Sequence, residues 1–124
     1  MKNFYIAARY PRKEEMEGVS LRLEKELGWS SKSSWVKGSE EGLTRKEIAM
    51  IDLVDVKESD IMILFTNPKG EPHPGGGRFV EFGYALALGL KCYVIGNYEN
   101  VFCHHPLVKV YPNVDDFILD WIVR

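Results

Sequence analysis

Residues Ile61–Phe65 form an unbroken apolar run, IMILF, entered through Asp60. A strand that is apolar on both faces needs cover on both, which is the situation of a parallel strand with helices above and below it. Four other stretches read as its partners: Asn3 to Ala8 (NFYIAA), residues 33–38 (SSWVKG), residues 91–96 (KCYVIG) and residues 107–111 (LVKVY). Helical patterns lie between them. Pro11 opens one that runs to about Leu27, with Met16, Val19, Leu23 and Leu27 on one face and Gly28 stopping it. Thr44 to Glu47 (TRKE) has the form of a capping box, and the helix it starts turns Ile48, Ile51 and either Val54 or Asp55 inward. A third helix ends near Gly89, and Asp115 to Val123 closes the chain as an amphipathic helix. Strands and helices in alternation imply parallel pairing through right-handed crossovers. The expected fold is therefore α/β: a doubly wound, three-layer α/β/α sandwich of flavodoxin or Rossmann type, its five-stranded sheet ordered 2-1-3-4-5.

With 124 residues and 45% apolar content, the chain suits one domain, residues 1–124. Sixteen basic against eighteen acidic side chains leave a net charge of −2, which carries no signature of a nucleic-acid polymer or an anionic membrane as partner. Cys92 and Cys103 lack CxxC spacing, the start MKNFYIAARY lacks the apolar core of a secretory leader, and no run approaches the ~18 residues of a membrane span. A reducing, cytoplasmic setting is expected.

In this fold, ligands bind beyond the carboxyl ends of the strands, where strands 1 and 3 diverge. The residues expected there are Ala8, Arg9 and Tyr10, the loop TNPKGEPHPGGGR, and the segment from Asn97 to His105. The helix leaving the glycine loop, GRFVEFGYALALG, carries Glu81 in its first turn or so. Free N–H groups and the helix dipole at such a place favour an ionised carboxylate. A carboxylate in a cleft can attack carbon or stabilise a cation; one chosen only to complement the dipole would do neither. Asp52 and Asp55 compete for the inward position on their helix, and Tyr5 reads equally as core filling. The glycines Gly75, Gly76 and Gly77, with Arg78, form a loop whose backbone N–H groups can approach an anion. The loop matches neither Walker A nor the dinucleotide fingerprint, and a lid without phosphate contact is its other reading.

Together, Tyr5 in FYIAARY, Asp52 eight residues before Asp60 in IDLVDVKESDIMILF, and GRFVEFGYALALG resemble the nucleoside 2-deoxyribosyltransferase superfamily. That superfamily includes the deoxynucleoside 5'-monophosphate N-glycosidases. The similarity runs from the first strand to ENVFCHHP. It implies that Glu81, in Glu81-Phe82-Gly83-Tyr84-Ala85, is the nucleophile, that Asp52 is the assisting acid, and that Tyr5 orients the nucleophile. It further implies that Arg9 and Arg12 stand where the monophosphate-cleaving members bind the 5'-phosphate. Asn100 would complete the pocket, often across a subunit boundary, so a homodimer or higher homo-oligomer is implied too. Gly75 departs from both branches, which commonly carry Asp (transferases) or Ser (hydrolases) at that place.

The chemistry stands beside the resemblance. Breaking a C1'–N bond builds oxocarbenium character on the sugar, which an anion beneath C1' stabilises. Closure to a glycosyl ester followed by its release gives retention. Departure of the base calls for a proton, which Asp52 can give. Trp35 is a candidate for stacking on the base. Cys103-His104-His105 lacks the spacing of a metal site, and neither a metal nor another cofactor is expected. The first expected activity is deoxyribosyl transfer from a 2'-deoxynucleoside to another nucleobase. Hydrolysis of a nucleoside 5'-monophosphate is the alternative, and a non-catalytic nucleotide-sensing module is a remote third.

Overall fold

The structure is a computed structural model that describes residues 2–71 and 76–124. Five parallel strands form one sheet: β1 (Asn3–Ala7), β2 (Ser30–Ser31), β3 (Ile61–Phe65), β4 (Lys91–Ile95) and β5 (Val108–Tyr111), in the order β2-β1-β3-β4-β5. The expected topology is the observed one. β3 lies at the centre with all five residues buried, as its uniform apolarity requires. Helices α1 (Lys13–Leu27), α2 (Ser34–Lys37), α3 (Arg45–Lys57), α4 (Gly77–Leu88) and α5 (Val114–Ile122) surround the sheet, α1 packing against α5 and α3 against α4.

Local chemistry sets the helix ends. A short 3-10 turn at Tyr10–Arg12 precedes α1, and Gly28, at φ 70°, closes that helix. Thr44 and Glu47 form the reciprocal capping box at the start of α3. Phe4, Trp29, Tyr93, Phe117 and Trp121 interlock on the face covered by α1 and α5, mostly edge to face, with Trp29 and Trp121 centroids 5.0 Å apart.

The second strand departs from the sequence reading. Strand pairing is confined to Ser30 and Ser31, and residues 34–37 are helical. The reason lies at Ile6. Its N–H donates to the Ser33 hydroxyl (2.8 Å), and its carbonyl accepts from the Trp35 indole N–H (2.8 Å). Side chains thus take the backbone groups that a longer β2 would have paired. Ser34 N–H meanwhile donates to the Asp55 carboxylate (3.0 Å), and Gly38, at φ 78°, ends the turn of helix.

At the other side of the crevice, β3 and β4 are pinned together beyond their last residues. Thr66 N–H donates to Ile95 O, and the Thr66 hydroxyl accepts from Asn97 N–H (2.8 Å). Gly96 passes directly over this hydroxyl: a Cβ there would lie 2.0 Å from Thr66 Oγ1, and its φ of 129° belongs to glycine.

Candidate active site

Tyr5 is wholly buried in β1, and its hydroxyl donates a hydrogen bond to Glu81 Oε2. Alternation along β1 turns Tyr5 away from the aromatic cluster that Phe4 enters, toward α4. Glu81 lies five positions beyond Gly76, the N-cap of α4, and the first turn of that helix contains no acidic residue. The expectation that the helix start would favour an ionised Glu81 is therefore corrected. The dipole acts mainly within the first turn, whereas burial acts in full one turn further in. Burial, with the negative charges of Asp52 and Asp55 adding to it, raises Glu81 from 4.5 to about 8, against the opposing hydrogen bond from Tyr5. Burial first, then the Glu81 charge, pushes the Tyr5 hydroxyl well above its ordinary value, so it remains a donor.

The competition on α3 resolves into two jobs. Asp55 is buried and holds the first N–H of α2, while its own carbonyl accepts from the Ser59 hydroxyl (2.8 Å). Asp52 lines the cavity that Glu81 also lines. Its neighbour there is Glu40, from the turn between α2 and α3, a residue that sequence reasoning missed. Asp52 and Glu40 carboxyls lie within hydrogen-bonding reach of each other. Asp52 Oδ1 and Glu40 Oε2 are both buried without a donor among the described residues. Burial raises both: Glu40 to about 8, helped by its contact with Asp52, and Asp52 in the same direction, helped by Asp55 and opposed by the Glu40 hydrogen bond. Protons on such a pair belong to the two together. Within SEEG, Glu40 has the look of a solvated turn acid, and only the folded chain sets it against Asp52.

The cavity measures about 460 Å³ and is open to solvent on one side. Trp35 forms part of its wall and is fixed there by its indole N–H bond to Ile6, with the Tyr10 ring 6.3 Å from its own. Arg9 lines it with no carboxylate partner among the described residues. Arg12 takes no part in the lining: its guanidinium is bound to Glu15 (2.8 Å) and to Thr66 O (2.9 Å). Gly77 lines the cavity as the first residue of α4, and Gly76 is the N-cap just before it. Gly75 lies outside the described residues. Arg78 also reaches the cavity, but its guanidinium forms a buried ion pair with Glu99 (3.0 Å) and lies 4.2 Å from the Phe79 ring centroid. Asn100 is not brought to the cavity within this chain. Its side chain accepts from Phe102 N–H (2.9 Å) and caps the 3-10 turn Val101–His104.

Among the described residues, no group of three or more His, Cys, Asp or Glu side chains is arranged to hold a metal ion. No helix among them is long and apolar enough to cross a membrane.

The sequence matches no protein-family model and none of the curated proteins. Its structure is similar to that of the Clostridium botulinum CMP N-glycosidase BcmB, with a TM-score of 0.68 and 20% identity over 99% of this chain and 100% of that one. At that identity the likeness is one of fold, and it extends over both chains from end to end.

Proposed function

We propose that this chain is an enzyme that cleaves the N-glycosidic bond of a nucleoside 5'-monophosphate through a covalent glycosyl ester on Glu81. The observation that carries the reading is the pairing of a tyrosine-held carboxylate, Glu81, with a second carboxyl, Asp52, on the wall of one cavity of about 460 Å³. The volume is ample for a mononucleotide. The resemblance to BcmB in fold, and the activity in that protein's name, support the same bond as the target. Arg9 is the cation available for the 5'-phosphate.

The steps follow from the side chains. Tyr5 holds one oxygen of ionised Glu81, and the other attacks C1' as the C1'–N bond breaks. The electron pair of that bond goes to the base, which takes a proton from the Asp52 carboxyl as it leaves. Water then attacks C1' from the vacated side, giving its proton to the Asp52 carboxylate. Glu81 is released, and the product is the sugar phosphate with its configuration retained. Incubation with ribo- and deoxyribonucleoside 5'-monophosphates should release free base and sugar phosphate. Glu81→Ala should remove that activity while preserving the circular-dichroism spectrum, and a 2-fluoro sugar analogue should leave an adduct on Glu81 by mass spectrometry. A Glu81→Ala protein with near wild-type turnover refutes the reading.

Transfer of a deoxyribosyl group to a second nucleobase is the second reading. The burial that raises Glu81 to about 8 favours it, because an ester formed in a water-poor place survives long enough to meet a base. A new nucleoside or nucleotide formed when a different free base is added would establish transfer. Absence of base release from every nucleoside and nucleotide tried would leave a binding module.

A further inference from the structure

The Glu40–Asp52 contact is chemically unusual for its setting. Two carboxyls line the same cavity wall within hydrogen-bonding reach of each other, and an oxygen of each, Oε2 of Glu40 and Oδ1 of Asp52, is buried without a donor among the described residues. The charged groups around them offer little relief. Asp55, one turn on along α3, and Glu81 on α4 carry the same sign of charge as the pair. Arg78 on α4 is engaged by Glu99, and Arg9, after β1, makes no ion pair with either carboxyl. Tyr5, on β1, spends its hydroxyl hydrogen bond on Glu81. Two ionised carboxylates at that range repel, and each would hold one buried oxygen without a donor. A proton between them removes both penalties, turning one oxygen into the donor that the other lacks.

We propose that Glu40 is a positioning residue whose carboxyl shares one proton with Asp52, keeping Asp52 able to protonate the departing base and aiming it into the cavity. The inference rests on the N-glycosidase reading and deepens it. When the proton resides on Asp52, the acid is armed. Its transfer to the base nitrogen as the C1'–N bond breaks leaves the pair fully ionised, and the incoming water restores the proton in the second half of the reaction. No outside reactant is needed.

Glu40→Gln tests it, because the amide donates to Asp52 permanently and stabilises its carboxylate, leaving no labile proton. The alkaline limb of kcat/KM for the natural nucleotide should move to lower pH by a unit or more, with kcat at pH 8 falling about 10- to 100-fold. The 4-nitrophenyl glycoside of the same sugar phosphate, whose leaving group needs no proton, should lose less than about threefold. Glu40→Asp should restore part of the loss. Equal loss on both substrates, or an unmoved alkaline limb, overturns the proposal. Carboxyl ¹³C NMR titration of the full chain reads the shared proton independently of turnover. In wild type Asp52 should titrate above the ordinary carboxyl range, and in Glu40→Gln it should fall back toward it. An ordinary Asp52 in wild type overturns the proposal even if the enzyme is active. A shared proton in a protein that releases no base refutes the parent reading and the acid role together.

Discussion

Glu81→Gln should make the protein more stable at alkaline pH while destroying its activity. Glu81 rises from 4.5 to about 8 on folding, mainly through burial. A carboxyl raised in this way binds its proton more tightly in the native state than in the unfolded chain. Its stabilising contribution is therefore complete below about 4.5 and is lost as pH climbs toward about 8. At 1.36 kcal/mol per pKa unit, the whole swing is about 5 kcal/mol as an upper bound. Glu81 is only partly buried, so about 2 to 4 kcal/mol is the expected share. The amide is isosteric, keeps an oxygen for the Tyr5 hydroxyl and cannot ionise. Urea unfolding of both proteins between pH 5 and pH 9 provides the assay. Glu40 and Asp52 titrate in both and largely cancel in the difference. At pH 5 the two should agree within about 1 kcal/mol, and by pH 9 the variant should lead by the amount above. Parallel stability profiles across that range would show that Glu81 ionises in the folded protein as easily as in water, refuting the desolvation argument.

Activity should follow a narrow bell in pH centred near 8, because Glu81 must lose a proton and the Glu40–Asp52 pair must keep one, and both transitions lie near about 8. In Tyr5→Phe the hydrogen bond that opposes the rise of Glu81 is gone. The acid limb of kcat/KM should move to higher pH, with a loss of about 10- to 100-fold at pH 7. Arg78→Ala removes a charge-assisted hydrogen bond from a buried ion pair and should cost about 1.5 to 3 kcal/mol in urea unfolding. Gly96→Ala forces a methyl to within 2.0 Å of the Thr66 hydroxyl at a φ of 129°, and should lower stability by about 1 to 3 kcal/mol, or more if the β3 and β4 ends part.

The parallel sheet was legible because IMILF, NFYIA and KCYVI are apolar at nearly every position, a pattern that admits few other folds. Tyr5 and Glu81 were legible as a pair only through the motifs around them, since 76 positions separate them along the chain. SSWVKG misled because Trp and Val favour strands locally, while the deciding bonds, from Ser33 and Trp35 to Ile6, come from tertiary structure. The ionisation of Glu81 was misjudged by placing it one turn too early, where the dipole would have prevailed over burial. Glu40 gave no sign at all: an acid in a polar turn looks the same in sequence whether it faces water or another carboxyl.

The bonds that Ser33 and Trp35 make to Ile6 also bear on how molecules of this protein meet one another. A sheet margin with free amide and carbonyl groups is a template on which a neighbouring chain can lay down a further strand, the usual seed of aggregation. Here the outermost strand is two residues long, and beyond it Ile6 spends its backbone groups on a hydroxyl and an indole. That flank of the molecule has little left to offer an intruding strand, so the side chain that walls the cavity also guards the sheet.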